Sequence, residues 1–153
     1  MFFYGKDDHF SNFYPAKFIV DDIIFSCGEQ YIMYSKAILF GDSVIAAMIL
    51  QETKPTKMKA LGRKVRNFDD DVWCANREEL TFKGLFEKYN QNANLKKLIL
   101  DTGNREIVEA SPRDRVWGIG MGENNPDAED KSKWKGRNIL GKILMKVRDA
   151  FIE

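Results

Sequence analysis

The stretch KFIVDDIIFSCGEQYIMYSKAILFG, Lys17 to Gly41, holds two kinds of pattern in 25 residues. Lys17 to Ser26 is two β-rich runs around Asp21-Asp22, the signature of a hairpin. Ser26 and Glu29 then stand at the S-x-x-E spacing of a capping box, which predicts a helix start at Ser26. That helix runs through EQYIMYSKAILF and stops at Gly41, the residue type that ends helices most readily.

Outward from there the chain reads mainly as helices. DSVIAAMILQE is nearly all apolar and predicts a deeply buried second helix. Thr53 and Pro55 open a short third one, TKMKALGRKV. Asp69-Asp70-Asp71 suits the positive end of a helix covering VWCANREELTFKGLFEKY, followed by NLKKLILDT. REIVEAS is the best late strand. In RNILGKILMKVRDAF, Ile139, Leu140, Ile143, Leu144, Val147 and Phe151 form one apolar stripe of a final helix. The class is helix-rich α+β with four or five short strands, and the absence of repeats or Pro/Ser-rich linkers predicts a single domain over residues 1–153.

Composition removes several functions. The net charge of +1 excludes polyanion binding by bulk charge alone, leaving room only for a local basic patch. Two cysteines, Cys27 and Cys74, and one histidine, His9, cannot build a zinc site without recruiting carboxylates. Isolated thiols in a chain with its own core point to a reducing cytosol, and the location expected is cytoplasmic. MFFYGKDDHF has charges by residue 6, so it reads as neither a signal peptide nor a membrane span. No metal and no cofactor is expected.

The candidate chemistry starts with Glu29 and Lys36. Seven residues make two helical turns, so both project from one face, roughly 10 Å apart along the axis. A carboxylate and an amine flanking a small cleft can divide proton transfer and nucleophilic attack. The plainer reading makes Glu29 half of a capping box and Lys36 an exposed helix lysine. Trp73 and Trp117 are either stacking platforms for a nucleobase or core aromatics. Asn12, in FSNFYP, either reads a polar ligand edge or closes an Asx-turn. KMKALGRKVR carries five positive charges in ten residues, and Arg63 beside Gly62 has room to approach a phosphate. Asp114, between two arginines, is an ion-pair partner or a carboxylate aimed at a ligand. In VWGIGMGENN, Val116 to Asn125, glycines at every second position suit a loop whose amides approach a phosphate, or a tight turn. The order of these glycines matches neither the dinucleotide fingerprint nor the P-loop.

Taken together and in order, FSNF, GEQYIMYSKA, LGR with Trp73 and Arg77 after it, SPRDRVWGIG and GRNILGKILMKVR resemble the NADAR, or YbiA-like, family from Phe3 to Arg148. The resemblance implies a compact helix-rich fold and N-glycosidase activity on bonds joining a ribosyl carbon to an amine. One branch of that family cleaves phosphoribosylaminopyrimidine intermediates of riboflavin synthesis. The other removes ADP-ribose from the amino group of guanine in DNA, reversing an ADP-ribosyltransferase. The resemblance places Glu29, Lys36 and Asp114 at catalytic positions. Asn12, Arg63, Trp73, Trp117, Gly118, Gly120 and Asn138 fall at positions implied to bind substrate. Ile119 replaces the acidic residue of riboflavin-type members, which favours the ADP-ribose branch. Lys36 would act through a Schiff base with Glu29 or Asp114 moving protons; carboxylate-assisted water attack is the competing route. A module that binds ADP-ribose or NAD without cleaving it is the non-enzymatic alternative.

Overall fold

Asp21 and Asp22 both adopt positive φ, 50° and 67°. Aspartate tolerates this region better than most side chains, and two such residues make the turn whose twist matches a hairpin. The computed structural model describes residues 1–153, and this turn joins β2 (Pro15–Val20) to β3 (Ile23–Cys27). A preceding two-residue strand, β1, is Phe2–Phe3. Along β2, Ala16, Phe18 and Val20 turn inward while Lys17 and Ile19 face out, the alternation of a half-buried strand.

The helices are α1 (Gly28–Leu39), α2 (Ser43–Gln51), α3 (Pro55–Gly62), α4 (Asp70–Asn90), α5 (Ala93–Asp101) and α6 (Ile139–Ile152). Strand β4 is Val108–Glu109 and pairs parallel with β1. The class is the helix-rich α+β expected, with four strands. No helix is long and apolar enough to cross a membrane.

The chain divides into two compact units, Asn12–Ala93 and Met1–Ser11 with Asn94–Glu153. In the first, α1 packs against β3, α2, α3 and α4. Its aromatic centre is Phe18, Phe25 and Tyr31, with Phe25 and Tyr31 edge to face at 5.2 Å. A Cβ at Gly84 would run into the Tyr31 ring, so glycine there is what lets α4 lie against α1. In the second unit α6 packs on β4, and Ile139, Leu140, Ile143, Leu144 and Val147 are all buried. Truncating one such leucine to alanine costs about 2–5 kcal/mol. Phe151, the last residue of the expected stripe, is only half-buried, with Lys96 Nζ 4.6 Å from its ring centroid.

Two local expectations fail. The capping box does not form: Ser26 still belongs to β3, Cys27 is the cap residue, and no side chain caps α1. Gln30 takes the contact instead, its Oε1 accepting from Ser26 N (2.7 Å) and Ser26 Oγ (3.1 Å). Its Nε2 donates to Ile49 O at 3.0 Å, tying the end of α2 to the start of α1. Helix α2 is not deeply buried either. Only Ala46 and Ile49 are inside, whereas Val44 and Met48 are about half exposed (58% and 48%). Its apolar residues cover nearly the full circumference, but only one stripe meets Ala37 and Val65.

Candidate active site

With Gln30 holding Ser26, the Glu29 carboxylate is not a cap. It is buried, at 8% exposure, in the first turn of α1. Its backbone N–H donates to Asn12 O at 2.9 Å, so Asn12 anchors the helix start. Asn12 makes no Asx-turn with its side chain: Oδ1 is enclosed and accepts no hydrogen bond. A Cβ on Gly28 would sit 3.0 Å from that oxygen, so the glycine keeps the approach open.

Two turns along α1, Lys36 is half-buried rather than an open surface lysine. Its Nζ lies 4.6 Å from the Phe68 ring centroid and 5.9 Å from that of Trp73. Burial pushes its pKa below the ordinary lysine value; Glu29 pulls it back up and Arg63 pushes it down. Desolvation disfavours the ammonium, which is the condition for an amine with nucleophilic character. Glu29, Lys36, Arg63 and Trp73 are therefore brought to one face of α1, joined by Asn12 at its start.

Arg63 is exposed at the end of α3. Gly62 beside it lies against α1, where a Cβ would force the Met33 side chain to move. The loop that follows is held by Asp42, whose carboxylate accepts from Arg66 N (2.9 Å) and from Ile45 N (3.1 Å). Those two hydrogen bonds keep the Asp42 carboxyl below the usual range. Asn67 then turns through φ 61° and presents Phe68, which stacks on Phe40 at 5.2 Å. Trp73 is nearly enclosed (7% exposed), so it walls Lys36 and leaves little face for a base. Phe68, at 40%, has the exposed ring.

Asp114, Trp117, Gly118, Gly120 and Asn138 fall together in the other unit. The Asp114 carboxylate is an internal brace: Oδ1 accepts from Val116 N (2.9 Å) and Trp117 N (2.8 Å). Two of the loop amides are taken up by backbone carbonyls. Ile119 N donates to Glu109 O and Gly120 N to Asp114 O, both at 3.0 Å. Gly118 and Gly120 also serve backbone packing. A Cβ on Gly118 would lie 2.9 Å from both Glu109 O and Ser111 Cβ, and Gly120 has φ +72°. Trp117 is half-buried, and its carbonyl accepts from Leu140 N at 3.1 Å.

Asn138 is fully enclosed and left-handed, φ 52°. Its Oδ1 accepts from Glu109 N and its Nδ2 donates to Ile107 O, both at 3.0 Å. Both ends of the amide are bound to backbone in and just before β4, so it ties that segment to the start of α6 rather than lining a pocket. Ile119 is likewise enclosed, among Val108, Met121 and Ala128. Its side chain faces the core of its unit.

Sequence reasoning missed Phe68 and gave Arg77 no role. Phe68 was detectable as an aromatic directly before three aspartates. Arg77 could have been read as one helical turn beyond Trp73, on the same face.

The NADAR domain model matches residues 2–152. Protein irg-1 of Caenorhabditis elegans is 38% identical, over 96% of this chain and 77% of that protein. N-glycosidase R617 of Acanthamoeba polyphaga mimivirus is also 38% identical, over 97% of this chain and 94% of its own length. The NMR structure of Escherichia coli YbiA superposes with a TM-score of 0.81 at 28% identity, covering 99% of this chain and 84% of that one. The chain belongs to the NADAR domain family of N-glycosidases.

Proposed function

We propose that this N-glycosidase hydrolyses the bond between ADP-ribose and the amino group of guanine in DNA. The observation that carries the reading is the basic surface beside Lys36. From Thr53 to Phe68 there is no carboxylate, and six exposed cations lie there; Arg66 pairs with Asp42 and Lys54 and Lys57 act on Glu52, while Lys59, Arg63 and Lys64 make no ion pair. Arg63 belongs to that run and is close enough to Lys36 to act on its charge. A cationic strip next to the reacting group suits a substrate embedded in a phosphodiester chain, where each neutralised phosphate releases counterions. A free aminopyrimidine ribotide needs no such strip.

In the reaction, the neutral Lys36 amine attacks C1′ of the ring-opened glycosylamine. Nζ adds to the C1′=N bond of that ring-opened imine, and a proton passes from Nζ to the guanine nitrogen. The C1′–N bond to guanine then breaks, releasing the free amino group of guanine and leaving an iminium between C1′ and Lys36. Water adds to the iminium and the adduct collapses, returning ADP-ribose and free lysine. Glu29 is the group proposed to move protons. Asp114 is proposed as the brace of the loop that carries Trp117. The substrate is the product of an ADP-ribosyltransferase, which is the functional partner this reading requires.

The test compares an ADP-ribosylated guanine oligonucleotide with a phosphoribosylaminopyrimidine at rising salt. The proposal expects faster cleavage of the oligonucleotide, falling steeply between about 50 and 200 mM salt. Cleavage of the aminopyrimidine alone assigns the enzyme to the riboflavin branch. Tight ADP-ribose binding with neither substrate cleaved makes it a binding module.

A further inference from the structure

We propose that Arg77 is the anion-binding residue of this site and holds the phosphate on the 5′-oxygen of the ribose being cleaved. The inference rests on the N-glycosidase reading for its substrate, though not for its anion. Both candidate substrates carry a phosphate at that oxygen, so the assignment does not depend on which is natural.

Arg77 is 93% removed from solvent by its 7% exposure, yet its Nε has no hydrogen-bond partner. No carboxylate pairs with its guanidinium. A guanidinium stays charged in any protein environment, and an unpaired buried charge is costly. The chain shows the usual solution elsewhere. Arg148, equally buried at 5%, donates from Nη1 to Arg105 O (2.7 Å) and Thr102 Oγ1 (3.1 Å), and its Nε lies 3.3 Å from Asp149 Oδ1. Arg148 is a finished structural arginine, and Arg77 lacks every one of those partners.

Its position fits a ligand role. Helices α1 and α4 run antiparallel, with Trp73 facing Lys36 at one end and Gly84 and Leu85 meeting Tyr31 and Gly28 at the other. Arg77 lies between these contacts, one turn from Trp73 along the α4 face turned to α1. Thr81, a further turn along, also has an enclosed Oγ1 without a partner. The α1–α4 seam therefore carries unmatched donors on the stretch that runs from Lys36 toward Glu29. Arginine presents Nε and Nη as a fork that matches two phosphate oxygens.

The test uses Arg77→Met, close in length and uncharged, with Arg77→Lys as the conservative variant. Melting is followed without ligand and with ADP-ribose, ribose 5-phosphate or inorganic phosphate. We expect Arg77→Met to melt at or above the wild-type temperature without ligand, since an unpaired charge is removed. We expect it to lose the ligand-induced rise, with partial recovery in Arg77→Lys. In turnover, a 5′-phosphorylated ribosylamine should lose about 100-fold or more in kcat/KM, and its dephosphorylated counterpart should be unchanged. A ligand-free Arg77→Met that melts far below wild type and keeps the phosphate-induced rise makes Arg77 structural and overturns the proposal. So does an equal loss on both substrates. Wild-type protein that cleaves neither substrate but still needs Arg77 for the ADP-ribose shift would remove the enzymatic reading and leave the anion site standing.

Discussion

Lys36 Nζ sits 4.6 Å from the centre of the Phe68 ring, on a helix that also carries the buried Glu29. An aromatic face attracts the ammonium form, while burial disfavours it, and burial prevails in lowering its pKa. The balance has a sign that can be measured. Activity that needs the neutral amine should rise with pH through a value below the ordinary lysine range. Glu29→Gln removes an influence that raises the Lys36 pKa, so that rising limb should move to lower pH. Arg63→Gln removes one that lowers it, so the limb should move to higher pH. pH–rate profiles of the two variants moving the same way would contradict the arrangement.

The same shift predicts a stability change. The folded lysine releases its proton at lower pH than the unfolded one, whose reference value is 10.5. Between the two values the unfolded state binds more protons, so stability should climb as pH rises through that window. Lys36→Met should abolish that climb in denaturant melts made across alkaline pH, and an unchanged slope would contradict it.

Asn138→Ala should destabilise the fold by roughly 2–4 kcal/mol, because it strands the part-buried N–H of Glu109 in β4 and the buried C=O of Ile107 just before it. Alanine also has no local hydrogen bond to support the left-handed backbone. The check is the urea midpoint at constant slope. A loss of substrate binding with the midpoint unchanged would instead return Asn138 to the ligand.

The glycine loop separates packing from ligand approach. Gly118→Ala places a methyl 2.9 Å from Glu109 O and should cost about 1–3 kcal/mol. Gly122→Ala meets only Pro112 Cγ, at 3.6 Å, and should stay within about 0.5 kcal/mol of wild type. Equal melting temperatures for the two variants would count against the packing explanation.

The periodic parts of this fold were legible in the sequence. Asp21-Asp22 announced the hairpin through local turn chemistry, and the α6 stripe announced its buried face. The Ser26–Glu29 spacing misled because a capping motif needs its serine at the cap, and the strand runs through Cys27. Nothing local says that Gln30 will reach across to Ile49. Alternate glycines indicate close approach, but the pattern does not say whether to a ligand or, as at Gly118, to Glu109 O. Helical spacing was enough to put Glu29 and Lys36 on one face of α1, and the family resemblance, not the spacing, marked them as catalytic. Arg77 stayed without a role because an unpaired guanidinium can be seen only once its neighbours are placed.

The direct test of the account is ADP-ribosyl-guanine oligonucleotide turnover by wild type and Lys36→Ala, with borohydride added during the reaction. Wild type should release free ADP-ribose, and the trapped protein should carry a ribosyl adduct on the peptide containing Lys36. Lys36→Ala should fold, release nothing and trap nothing. Full turnover by Lys36→Ala would contradict the account and leave water, activated by a carboxylate, as the attacking group.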